Sequence, residues 1–194
     1  MTLLTRDDLY SLEQYAEQRV EMRAAVMGHK KNRQLPIGPH ATLYFEDKLT
    51  MQYQIQEMLR VERIYEAGAI QEELDAYNPL IPDGSNWKAT FMIEYTDVVE
   101  RQQALTQLVG IEQRVWMQVQ GFDPVYAIAD EDLERADEQK TSAVHFLRFE
   151  LSAEMAEAVR TDADINAGID HHNYTHSSEP IPHNIRDSLA GDLS

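Results

Sequence analysis

The chain contains no cysteine. Disulfides, thiol nucleophiles, iron–sulfur ligation and cysteine-type zinc sites are excluded together, and any metal has to be held by histidine and carboxylate. Basic residues are scarce: 17 Lys and Arg stand against 34 Asp and Glu, a formal net charge of −17. Such a surface repels phosphate backbones and anionic lipid, so neither nucleic acid nor membrane is an expected partner. One basic cluster, Lys30, Lys31 and Arg33, runs against that trend. No apolar run approaches the roughly 18 residues that a membrane span needs. Residues 1–8 lack the basic-then-apolar order of a signal peptide, so the expected location is cytoplasmic. Also missing are a Gly-rich phosphate loop, a Gly-x-Ser-x-Gly elbow, a His-Glu-x-x-His motif and any Glu-x-x-His pair. Nucleotide-binding, nucleophilic-hydrolase and ferritin-like di-iron readings lose their usual support.

What is present is the composition of a globular protein, 43% hydrophobic and 26% charged. The pattern Thr5-Arg6-Asp7-Asp8 reads as a capping box opening a long first helix. Its apolar stripe runs through Leu9, Leu12, Ala16, Val20 and Met27, with Arg19 and Arg23 beside it. Segment 48–66 predicts a second helix whose apolar arc, Met51, Ile55, Met58, Leu59 and Tyr65, encloses the carboxylate of Glu62. Strict alternation predicts strands over 88–95, 111–119 and 142–151. Segment 130–139 reads as a charged surface helix and 152–160 as a helix capped by Ser152. The strands lack the continuous apolar runs of a parallel sheet. The predicted fold is therefore α+β, a mostly antiparallel sheet with helices packed on one face and a long N-terminal helix. Residues 1–166 form the expected single domain, and 167–194 a polar, His-containing C-terminal arm with the composition of a disordered tail.

Two interior polar residues are the best handles on function. Glu62 needs a partner if its helix phase is right, and Arg23 is the expected one. His145 alternates in phase with Ala143, Leu147, Phe149 and Leu151 on the buried side of its strand. With Glu57 one turn or so from Glu62, these side chains are candidate ligands, His145, Glu57 and Glu62, for iron, manganese or zinc. The opposite sheet face carries Glu46, Glu94, Glu112, Arg114, Trp116, Arg148 and Glu150. It reads either as a solvated face or as a cup in which Arg148 or Arg114 clamps a carboxylate or phosphate beside Trp116. His171, His172 and His176 form a small cluster whose Gly and Asn neighbours suit a polar tail better than a metal site.

The stretches His29-Lys30-Lys31-Asn32-Arg33, Phe45-Glu46-Asp47 with Tyr53-Gln54-Ile55-Gln56-Glu57-Met58-Leu59-Arg60, Glu73-Leu74-Asp75-Ala76-Tyr77-Asn78-Pro79-Leu80-Ile81-Pro82, and Lys140-Thr141-Ser142-Ala143-Val144-His145-Phe146 resemble a bacterial family of similar length, a domain of unknown function. The resemblance implies genes near those of rubrerythrin-like and iron–sulfur redox proteins, hence a role in peroxide or redox defence. Within those stretches the polar residues that a site explains best are His29, Glu57, Arg60 and His145. The expected function is a cytosolic metal- or small-anion-binding protein supporting a redox or peroxide-handling system, with His29, Arg60 and Arg148 as ligand-binding residues. The alternatives are an adaptor that docks a redox protein through its acidic surface, and an enzyme using a buried carboxylate with His145.

Overall fold

The computed structural model describes residues 3–131 and 140–194. The capping box at Thr5 and Asp8 forms, but it opens only a short 3-10 turn, Arg6–Asp8. The long helix α1, Leu12–Lys30, starts at a second box in which Ser11 Oγ accepts from the Gln14 amide. Its inward face is Tyr15, Arg19, Met22 and Val26, while Val20 is 77% exposed. The phase is shifted from the apolar stripe because the helix turns a tyrosine and an arginine toward its neighbour. That neighbour is α2, Lys48–Glu62, capped by Asp47. With α3, Ala67–Tyr77, it builds a small apolar cluster of Leu4, Met51, Ile55, Leu59, Leu74 and Ile81.

The fold is α+β and antiparallel, and its strands divide into two sheets. The strands β1 (Gln34–Pro36), β2 (Ala41–Phe45), β3 (Asn86–Ile93), β6 (Ile128–Ala129) and β7 (Val144–Glu150) form a five-stranded sheet in the order β1-β2-β3-β7-β6. A four-stranded sheet follows the order β5-β4-β8-β9, from β4 (Val115–Val119), β5 (Val125–Tyr126), β8 (Ile165–His171) and β9 (Tyr174–Ser178). The predicted strand over 111–119 begins instead as a 3-10 turn, Ile111–Arg114. Leu43, Phe91 and Phe149 of the first sheet share one core with Val115, Ile165 and Ile169 of the second. Helices α4 (Val98–Gln107), α5 (Ala153–Arg160) and α6 (His183–Ala190) add Ala104, Val159 and Leu189 to that core. The predicted helix over 130–139 falls largely outside the described residues.

The polar arm expected over 167–194 is not an arm. It supplies most of β8, all of β9 and α6, and Ala167, Ile169, Ile185 and Leu189 are buried. Ile165, Ala167, Ile169 and His171 are buried at every second position of β8, with Asn166 and Asp170 half-buried between them and Gly168 buried against Trp116, so a strand hides behind a polar composition. Gly168 is required there: a Cβ would stand 2.3 Å from the Trp116 ring, which lies across β8. The indole of Trp87, itself fully buried, donates to the Leu189 carbonyl at 3.0 Å and ties α6 to the first sheet. Deleting residues 167–194 is expected to abolish the cooperative urea transition and the native near-ultraviolet circular dichroism. A truncated chain that unfolds at the full-length midpoint contradicts this account.

Candidate functional site

The residues singled out from the sequence go to separate places. Glu57 on α2 accepts from Arg19 through Nε at 2.7 Å and Nη2 at 2.9 Å, and from the Tyr15 hydroxyl at 2.7 Å. Hydrogen bonding from Arg19 outweighs burial and brings its carboxyl down to about 2. Arg60 touches the same carboxylate at 3.4 Å from an exposed position. Glu62 is on the surface, because the helix ends there and Arg63 adopts the left-handed conformation of a C-cap. Arg23 is exposed too, and among the described residues it has no ion pair with Glu62. An ion pair does join the first two helices, but it is Arg19 with Glu57 and it is half-buried, the side chains being 33% and 19% exposed.

His145 is fully buried, as its strand phase predicts. Its Nδ1 meets Asp130 Oδ2 at 2.6 Å, and its Nε2 meets Thr141 Oγ1 at 2.8 Å and the Ser142 carbonyl at 3.1 Å. Glu112 Oε2 stands 3.9 Å from Nε2. Asp130 also accepts from the Phe146 amide at 3.0 Å, and it holds a φ of 51°, a left-handed conformation that Asp tolerates better than most residues. Both ring nitrogens are thus occupied by the protein's own groups. The structure does not bring Glu57 or Glu62 to His145, and among the described residues no group of three His, Asp or Glu side chains is placed to hold a metal ion. In the C-terminal cluster, His171 Nε2 donates to the Val109 carbonyl at 3.1 Å and His172 contacts Asn173 at 3.0 Å.

His29 meets Asp47 Oδ2 at 2.5 Å beside the buried Arg33, at the junction of α1, β2 and α2. The expected cup beside Trp116 is also split. Arg114 pairs with Asp170 at 2.8 Å on the second sheet, and Glu112 is buried next to His145. Of the three predicted ligand-binding residues, Arg148 lines a cup of about 270 Å³ on the outer face of the five-stranded sheet. Glu46, Lys88, Glu131, Phe146 and Leu80 share its wall.

Register builds this cup. Lys88 on β3 lies directly opposite Arg148 on β7, so two like charges sit side by side on a half-buried face and demand counter-charges. Glu131 supplies one to Arg148, at 2.8 Å from Nε and 2.8 Å from Nη2, and Glu150 contacts Nη1. The guanidinium holds the Glu131 carboxyl below its ordinary pKa. Burial pushes Lys88 below its own, against the pull of Asp83, while its ammonium donates to the Pro79 carbonyl at 2.7 Å. Glu46 is buried and accepts from Thr50 and Thr90 hydroxyls, each at 2.7 Å. The alternation of Lys88, Glu46 and Arg148 was readable in sequence; the arrival of Glu131 and the place of Asp130 beside His145 were not.

Two substitutions check these assignments. His145→Ala leaves Asp130 and Glu112 buried without their imidazole and is expected to cost about 3–5 kcal/mol in urea unfolding; a neutral change contradicts a structural role. Glu57→Gln is expected to cost about 1–3 kcal/mol at neutral pH. A carboxyl lowered in the fold stabilises above its unfolded pKa and loses that contribution as pH falls through the folded value. The difference between wild type and Glu57→Gln should therefore be full above about pH 5 and vanish near pH 2.

A comparison with curated proteins returns no match. The chain is 52% identical to a protein of unknown function from Burkholderia pseudomallei K96243 whose crystal structure is solved, with a TM-score of 0.94 over 100% of both chains. Residues 3–193 match the family described as "Protein of unknown function (DUF3501)". The chain belongs to that family.

Proposed function

We propose that the protein binds a small anion, a carboxylate or a phosphate, in the cup over Lys88 and Arg148. The observation that carries this reading is the seat Glu131 occupies. Arg148 grips it through parallel N–H contacts at 2.8 Å, the fork geometry by which a guanidinium recognises carboxylate and phosphate. Glu131 is 53% exposed whereas Arg148 is 25% exposed, so the carboxylate leaves easily and the fork stays in place. A ligand anion that takes the seat preserves the charge balance of the cup. Lys88 stands beside it as a second cation, and Pro79, Leu80 and Phe146 offer apolar contact to the rest of a small ligand. The three residues expected to hold a metal lie apart, so the metal part of the expectation has no ligand set among the described residues. A cytoplasmic location and a role beside a redox or peroxide-handling system belong to the same proposal and rest on the sequence reading and the family resemblance.

Isothermal titration with succinate and with inorganic phosphate tests it. Arg148→Gln should weaken binding about tenfold or more, equivalent to about 1.4 kcal/mol. Glu131→Gln should strengthen it severalfold, because the internal competitor is weakened. Unchanged affinity in Arg148→Gln, or unchanged or weaker affinity in Glu131→Gln, contradicts the proposal.

A further inference from the structure

At the other end of the same strands lies a second concavity, a cleft of about 570 Å³ bordered by His40, Met92, Tyr95, Arg101 and Val144. We propose that it binds a small aromatic anion, a planar ring carrying a carboxylate or a phosphate. This site is independent of the cup at Arg148, which is occupied by other residues near the opposite end of β3.

Its aromatic side is built and held before any ligand arrives. The rings of His40 and Tyr95 stack with centroids 3.9 Å apart and planes 13° from parallel. His40 is fixed at both ends: its amide donates to the Tyr174 hydroxyl at 3.0 Å, and its Nδ1 donates to the Glu94 carbonyl at 3.0 Å. Tyr174 in turn donates to the Ile37 carbonyl at 2.7 Å. Gly38 permits this arrangement, since its φ is 73° and a Cβ would stand 2.6 Å from the His176 ring. Both rings of the stack are half-buried, so each keeps surface toward the cleft for a third ring, and Met92 and Val144 supply an apolar floor.

The charge comes from Arg101 on α4. Arg19, Arg33 and Arg148 each hold a carboxylate. Arg101 is half-buried against the cleft and, among the described residues, its guanidinium has no hydrogen bond or ion pair. The carboxylate on the cleft wall, Glu94, is held by the Thr42 hydroxyl at 2.8 Å and the Tyr44 hydroxyl at 3.2 Å, so it is directed to its own sheet. An unpaired planar fork beside a fixed aromatic stack suits a ligand that presents an anion and a ring together.

The probes are phenyl phosphate and benzoate, with inorganic phosphate and acetate as their ring-free counterparts, titrated into the full chain and followed by two-dimensional NMR. The ring-bearing probes should bind about fivefold more tightly than the ring-free ones, shifting signals of His40, Tyr95 and Arg101. Arg101→Gln should weaken phenyl phosphate about tenfold, Tyr95→Leu should erase the advantage of the ring, and Arg148→Gln should leave this binding unchanged. The proposal is overturned if phenyl phosphate shifts no signal in the cleft at millimolar concentration, if Arg101→Gln binds as wild type does, or if the binding disappears with Arg148→Gln. Loss at Arg148 alone leaves the cup as the anion site; loss at Arg101 alone leaves the cleft.

Discussion

Carboxylates outnumber cations two to one in this chain, and the buried arginines Arg33 and Arg186 are each taken by carboxylates of the chain itself. Arg33 shows what that constraint does to the fold. It is 2% exposed, and its guanidinium donates to the Phe45 and Glu46 carbonyls at 3.0 Å each and to Asp192 at 2.6 Å. Asp47, the cap of α2, lies 3.3 Å away on its other side. One side chain thus fastens the end of α1, the end of β2, the start of α2 and the C-terminal turn. Burial pushes the Asp192 carboxyl up to about 6 even against this guanidinium, so the pair is costly to desolvate and acts more as a fixer of position than as a source of stability.

The same scarcity shapes the sites. Arg148 satisfies its charge with Glu131 and Glu150, and a ligand has to compete with them. Competition of this kind favours anions that match the fork geometry and disfavours those that merely carry charge. On the proposed reading the cup works by exchange, and its selectivity resides in the difference between an external anion and Glu131.

Much of the first sheet was legible because its signal is local. Period-two alternation placed Phe91 and His145 inward and Lys88 and Arg148 outward, and the structure has them so. Helix phase was less legible. Val20 and Glu62 were read into apolar stripes, but α1 is oriented by Tyr15 and Arg19 reaching Glu57, and Glu62 is the last residue of α2, at its exposed end beside the Arg63 cap. Those are contacts between elements and a backbone conformation, neither of which periodicity records. Residues 167–194 misled through composition: Gly168 and Asp170 look like loop residues, yet Gly168 makes room for Trp116 and Asp170 pairs with Arg114. The candidate metal ligands are not brought together for a similar reason, since Glu57 and His145 were joined by chemistry alone, with no register to bring their elements together.

The most direct measurement of the central claim is a crystal structure of the protein grown with saturating succinate. The account predicts a succinate carboxylate seated in parallel on Arg148 Nε and Nη2, with Glu131 turned away and the β3–β7 register unchanged. Glu131 still gripped by Arg148, with succinate absent from the cup, would contradict it.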